Sequence, residues 1–237
     1  MMPPGELAAP AAPAALAAVE AWLLDQGLTG RTEADHVLAG SIDRGQAETI
    51  QAAIWFSDLE GFIRLADTLP REQLIPFLNA YVEDLVAAIH AHGGQVLKFV
   101  GDGMLAIFPV GGPAAVAPSA AIEAAIDAQR RADRLLAERT ARGEPVARCF
   151  IGLHLGEVLY GNIGSPERLD FTVLGPAVNE TARIERMCRT LEQPIVISQS
   201  LANAACGDRP HLVSLGRYML RGVARAQELF TLDPDHD

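Results

Sequence analysis

Two aspartates, an asparagine, an arginine and a lysine stand where this chain could do chemistry. Asp58 follows an apolar run, Ile50 to Phe56, and precedes Gly61 and a helical pattern. Its carboxylate therefore stands at a sheet edge beside helix-start N–H groups, which attract phosphate. Asp102 lies between Gly101 and Gly103, where two short apolar runs, Val96 to Val100 and Met104 to Phe108, meet in a predicted hairpin. If those segments are neighbouring strands, the two carboxylates converge, and hard oxygen donors of this kind select Mg²⁺ or Mn²⁺. Two such ions can activate an attacking hydroxyl and hold a triphosphate. Asn179 and Arg183 are four apart on a predicted helix, hence on one face. An amide and a guanidinium presented together can orient a sugar and neutralise charge growing on a phosphoryl group. Lys98 sits inside the apolar run Val96 to Val100, where a cation is costly unless it snorkels or meets a partner. Each residue also has an ordinary role. Asp58 can cap a helix, Asp102 can form a turn, Asn179 and Arg183 can face solvent, and Lys98 can point outward from an edge strand.

The elements that must position these groups alternate along the chain. Residues 1–13 are a Pro/Ala tail in which each proline removes a donor and fixes its own backbone angle. Residues 14–48 are predicted as an N-terminal helix, Ala14 to Gln26 with Leu16, Val19 and Leu23 on one stripe and Gly27 as its stop, followed by a polar connector. Residues 49–232 form the main domain, and 233–237 a second tail. In the domain the apolar strand ending near Asp58 precedes a helical stretch from about Gly61 to His92 and the hairpin. A long Ala-rich helix comes next, from about Ser119 to Arg142. After it stand the runs Ala147 to His154 and Glu157 to Ile163, a short strand around Phe171, and a helix from Ala177 to about Thr190. The order is that of a split βαβ. It predicts an α+β fold with a ferredoxin-like βαββαβ core, its antiparallel sheet covered by helices on one face.

Composition narrows the function classes. The 237 residues are 49% hydrophobic and 21% charged, which is globular. With 19 Lys plus Arg against 30 Asp plus Glu, the net charge is −11, which repels nucleic acid and anionic membranes. Cys149, Cys188 and Cys206 have no paired spacing, as expected of a reducing compartment. No apolar run approaches the ~20 residues that span a bilayer. The Ala- and Pro-rich start lacks a basic segment and carries Glu6 and Glu20, so it fits a secretory signal poorly. The expected location is cytoplasmic, without membrane insertion.

The motifs together resemble the class III nucleotidyl cyclases, the adenylyl and guanylyl cyclase superfamily, and within it the bacterial adenylyl branch with threonine in the base pocket. The matching segments are Phe56-Ser57-Asp58-Leu59-Glu60-Gly61-Phe62 and Leu97-Lys98-Phe99-Val100-Gly101-Asp102-Gly103. With them belong Gly152-Leu153-His154 through Gly161-Asn162-Ile163-Gly164, then Asp170-Phe171-Thr172-Val173-Leu174-Gly175 through Val178-Asn179 to Ala182-Arg183. The resemblance implies conversion of ATP to 3′,5′-cyclic AMP and pyrophosphate. Asp58, Asp102 and the backbone carbonyl of Leu59 would hold two divalent cations, Mg²⁺ or Mn²⁺. Gly61 and Phe62 would meet the phosphates, Asn179 the ribose, and Arg183 the α-phosphate transition state. Lys98 and Thr172 would choose the base. A lysine only donates, which suits adenine N1, whereas the Thr172 hydroxyl could serve adenine or guanine.

The family's site lies between two domains, and one chain carries both residue sets in a single copy, so the resemblance implies a homodimer with two shared sites. Asp58 and Asp102 would come from one subunit, and Lys98, Thr172, Asn179 and Arg183 from the other. Two features depart from the common pattern. Ile63 stands where many members have Ser or Thr, which weakens the expected triphosphate grip. The segment Leu220-Arg221-Gly222-Val223-Ala224-Arg225 lacks the phosphate-binding lysine of some members; it offers two arginines, Arg221 and Arg225, and does not say which, if either, replaces that lysine, Arg221 being the candidate taken. The diguanylate cyclases also use paired aspartates, but their Gly-Gly-Asp/Glu-Glu-Phe turn is absent, the tip here being Val100-Gly101-Asp102-Gly103. The alternatives are a guanylyl or pyrimidine nucleotide cyclase, or a degenerate nucleotide-binding dimerisation module. The Leu16, Val19, Leu23 stripe is expected to pack on the catalytic dimer or to bind an unlinked regulatory partner.

Overall fold

The structure, a computed structural model, describes residues 47–111, 116–165, 168–205, 212–223 and 225–233. The predicted Pro/Ala tail, N-terminal helix and most of the connector, with the last four residues, lie outside the described residues. The chain divides into two compact units, residues 47–161 with 171–237, and residues 1–46 with 162–170. The described residues of the smaller unit belong to two strands, β4 (Cys149–Ser165) and β5 (Arg168–Leu174).

The elements in chain order are β1 (Ala47–Leu59), α1 (Phe62–Thr68), α2 (Arg71–Ala91), β2 (Gln95–Val100), β3 (Gly103–Pro109), α3 (Val116–Ala141), β4, β5, α4 (Pro176–Leu191), β6 (Ile195–Ser198), α5 (Gln199–Ala204), β7 (Leu212–Tyr218) and β8 (Gln227–Leu232). The sheet order is β2-β3-β1-β4-β6-β8-β7, with β5 paired to β4 off this path. β3 lies antiparallel to both β1 and β2, and β1 antiparallel to β4. This is the expected split βαβ, with β3 inserted between two strands that run the same way. Beyond that core the sheet gains one parallel pair, β4 with β6, and then β8 and β7.

Strand alternation assigns the two faces. Ala53 and Trp55 of β1, Met104, Ala106 and Phe108 of β3, and Ile151 and Leu153 of β4 pack with Phe77, Tyr81 and Leu85 of α2 and an alanine stripe of α3. That stripe, Ala121, Ala124, Ala125, Ala128 and Ala132, recurs at helical spacing and is buried; small side chains bring the helix close to the strands. The helices of the core thus cover one face, as predicted. The other residues of β1 and β3, Ala52, Ile54, Leu105 and Ile107, meet Val158, Val173 and Ala177 on the opposite face. There α4 adds a helix outside the core, burying Ile184 and Cys188 on Phe150 and Val196.

Three features differ from the sequence reading. The stretch Gly61 to His92 is two helices, broken at Leu69-Pro70, because a residue before proline is driven to extended backbone and Leu69 has ψ 142°. The runs 147–154 and 157–163 are one strand, with Gly156 paired to Ala52 rather than turning. By length and composition α2 is apolar enough to cross a membrane, contrary to the expectation that no run approaches that length. In the fold its Phe77, Tyr81, Leu85, Ala88 and Ile89 are buried, and Tyr81 Oη accepts a 3.0 Å hydrogen bond from the Ala147 N–H.

Candidate active site

The two aspartates meet. Asp58 lies at the end of β1 and Asp102 at the β2–β3 tip, where Asp102 Oδ2 accepts a 3.0 Å hydrogen bond from the Leu59 N–H. Gly103 makes the approach possible: a Cβ there would lie 1.9 Å from the Ser57 carbonyl oxygen, so any side chain would push the hairpin off β1. Burial first, and then the neighbouring Asp102 carboxylate, push the Asp58 carboxyl up to about 6, with Arg189 pulling it partly back. A site that penalises two adjacent negative charges is one that a cation would relieve.

The donor set fits a hard divalent ion. Among the described residues no group of three or more His, Cys, Asp or Glu could hold a metal. A cation here would rest on two carboxylates and a main-chain carbonyl, its other positions being filled by water or phosphate. Mg²⁺ is commonly bound in this way, through one or two carboxylates and substrate oxygens rather than in an all-protein cage.

Helix α1 starts beside this pair. Gly61 is its N-cap in left-handed backbone, φ 77°, and no side chain caps the helix or places an acid in its first turn. Phe62 stacks on Phe77 with ring centroids 6.4 Å apart, so its ring belongs to the core and any contact with phosphate falls to the backbone. Ile63 is 79% exposed and offers no hydroxyl. A cavity of about 850 Å³ opens there, lined by Glu60, Gly61, Ile63, Arg64, Asp67 and Arg148 among others.

Helix α4 carries Asn179 and Arg183, and glycines on β4 decide how it lies. A Cβ at Gly156 would sit 2.5 Å from Ala177 Cβ, and one at Gly152 would sit 2.5 Å from the Glu185 nitrogen. From Ala177 to Glu185 the helix rises about 12 Å, and from Gly156 to Gly152 the strand covers about 13 Å. The two therefore run alongside in opposite directions. Asn179 is exposed, and the Arg183 guanidinium lies beside the turn that carries Arg221, 3.4 Å from where a Gly222 Cβ would be. Thr172 on β5 is 4% exposed, and its hydroxyl is buried without a hydrogen-bond partner among the described residues. Lys98 is half-buried on β2, next to a bulge between Val96 and Lys98.

Two α4 residues near the aspartates were not singled out from sequence. Arg189 Nη2 donates to Asp58 Oδ2 at 2.8 Å and lies over the Phe150 ring, 5.8 Å from its centroid. Glu185, one turn earlier, is 5% exposed, and burial followed by Asp58 pushes its carboxyl up to about 7. Their i, i+4 spacing was the available signal. Within one chain, Arg183 and Asn179 stand roughly 9 and 15 Å up the helix axis from Arg189, the α4 residue that contacts Asp58.

Residues 46–233 match the model of the family described as the adenylate and guanylate cyclase catalytic domain. An adenylate cyclase of Anabaena cylindrica is 32% identical over 171 residues, 70% of this chain and 33% of the relative. Two uncharacterized proteins of Mycobacterium tuberculosis, MT1361 and Rv1318c, are 31% and 33% identical over 77% and 74% of this chain. The chain spans about a third of the length of these curated relatives. Among solved structures, the adenylyl cyclase CyaB from P. aeruginosa superposes with a TM-score of 0.72 at 24% identity, over 79% of this chain and 96% of that one. The guanylyl cyclase Cya2 gives 0.69 at 28% identity, over 81% and 97%.

Proposed function

The chain belongs to the adenylate and guanylate cyclase catalytic-domain family, and from that premise we propose that it is an adenylate cyclase whose sites are shared by two copies of the chain. It closes ATP to 3′,5′-cyclic AMP: the ribose 3′-oxygen bonds to the α-phosphorus, the bond to the β-phosphate oxygen breaks, and pyrophosphate leaves. The observation that carries this reading is the convergence of Asp58 and Asp102 at one sheet end, beside an uncapped helix start.

In this reading Asp58, Asp102 and the Leu59 carbonyl hold two divalent cations, Mg²⁺ or Mn²⁺. Bound there, the ions supply a lowered pKa for the 3′-hydroxyl and neutralisation of the β- and γ-phosphates. The protein's own residues do the rest. Gly61 and Phe62 present backbone N–H groups to the phosphates, Asn179 fixes the ribose, and Arg183 donates to the crowded α-phosphate, where charge spreads in the transition state. Arg221, on the turn beside Arg183, adds a second cation for phosphate. Alanine at Asn179 or Arg183 lowers kcat about 100-fold or more with the fold retained, checked by kcat and thermal melting on the same preparations.

Lys98 donates to adenine N1, and the Thr172 hydroxyl, buried without a partner among the described residues, accepts from the adenine amino group. The same hydroxyl could donate to a guanine carbonyl, and a guanylyl cyclase is among the structural relatives, so a guanylyl activity is the second reading. Product analysis of purified protein with Mn²⁺ and each of the four nucleoside triphosphates decides between them. Cyclic AMP in clear excess is the expected result; equal or greater yield from GTP ends the adenylyl assignment.

The separation along α4 supports a homodimer, in which Asn179 and Arg183 of one copy serve the aspartates of another. The location that fits this chemistry is the cytoplasm, where ATP is supplied, and the Leu16, Val19, Leu23 stripe is proposed as the contact for the dimer or for an unlinked regulatory partner.

A further inference from the structure

Arg189 is held against Asp58 by the architecture rather than by chance contact between surface charges. β1 and β4 pair Asp58 directly with Phe150, so the two side chains share a face. Gly152, two residues before His154 and two after Phe150, brings the α4 backbone down at Glu185. One helical turn later the Arg189 guanidinium therefore arrives over the Phe150 ring and beside the Asp58 carboxylate, 5.8 Å and 2.8 Å away. Cation–π contact and ion pairing select the same position for this side chain. At 48% exposure it can still swing out to water without burying an unpaired charge.

We propose that Arg189 is a built-in counter-ion, which neutralises Asp58 while no divalent cation is bound and competes with that cation for the same carboxylate oxygen. The inference rests on the reading of Asp58 and Asp102 as metal ligands. Two adjacent carboxylates repel, and the guanidinium offsets that repulsion in the metal-free protein. An ion that ligates Asp58 Oδ2 must displace the Arg189 hydrogen bond and tolerate the nearby positive charge. Arg189 therefore raises the free metal concentration at which the site fills, setting a threshold before nucleotide is considered.

Direct Mn²⁺ binding to the full-length protein without nucleotide tests this, with free Mn²⁺ followed by electron paramagnetic resonance. Arg189→Ala and Arg189→Gln should each bind Mn²⁺ about five-fold more tightly than the wild type, the scale of one partly exposed ion pair. Arg186→Ala, which removes an exposed arginine from the same helix, should change the affinity less than two-fold. Asp58→Asn should abolish the tight Mn²⁺ site. Unchanged affinity in both Arg189 variants, or equal tightening in Arg186→Ala, overturns the counter-ion role while leaving the metal site standing. Full Mn²⁺ binding by Asp58→Asn would overturn the metal reading itself, and the inference with it.

Discussion

In the proposed reading Thr172 and Lys98 are the two residues that choose the purine. A buried hydroxyl with no partner costs roughly 1–3 kcal/mol, a penalty that a base with a matching donor would remove. Lysine offers donors alone, which suits the acceptor at adenine N1 and clashes with the hydrogen at guanine N1. Replacing Lys98→Glu together with Thr172→Cys should lower kcat/KM for ATP by at least about ten-fold relative to GTP, measured by parallel product assays. An unchanged ratio would contradict the donor argument. Glu185 makes a separate prediction from its burial. Its carboxyl is raised from an ordinary 4.5 to about 7, so its proton is held more tightly by the folded than by the unfolded chain. The stability this supplies is complete below about pH 4.5 and is lost as pH rises through about 7. Glu185→Gln should therefore leave Tm little changed at pH 5 and raise it by roughly 2–4 °C at pH 8. A lower Tm at pH 8 would mean that the ionised carboxylate is a stabilising partner of Arg189 after all.

At the scale of elements, the glycines of β4 decide where α4 rests, and α4 decides what reaches Asp58. Gly152→Ala should cost about 1–3 kcal/mol in denaturant unfolding, because the new Cβ meets helix backbone that cannot move aside. Gly111→Ala, with nothing within 4 Å, should stay within about 0.5 kcal/mol of wild type. The same elements explain what was legible in the sequence. Asp58 after an apolar run and Asp102 between two glycines are encoded locally, and antiparallel pairing of β1 with β3 brings them together once the hairpin is recognised. The split βαβ order is readable from alternating periods in the same way. Glu185 and Arg189 were missed because their surroundings depend on a glycine on a different element, far back along the chain. Without Gly152, a charged pair at i, i+4 has the pattern of a solvated face. Gly156 misled for a related reason: it looks like a break between two strands, yet its missing side chain makes room for Ala177. The single helix expected from Gly61 to His92 overlooked what Pro70 does to Leu69.

The whole molecule presents its chemistry as two separated sets. Asp58 and Asp102 gather at one end of the sheet, against the C-terminal part of α4, while Arg183 and Asn179 stand about two and three turns nearer its start than Arg189, Arg183 beside the Arg221 turn. In the proposed reading such a chain would complete a site by pairing with a copy of itself, each copy lending aspartates to one site and the asparagine and arginine to the other. The most direct measurement of that claim mixes two inactive variants, Asp58→Ala and Asn179→Ala, under conditions where subunits are seen to exchange. Random pairing makes about half of the dimers mixed, and each of these holds one intact site of two, so cyclase activity should return to about a quarter of the wild-type value. A mixture that exchanges subunits yet stays as inactive as its components would contradict the account.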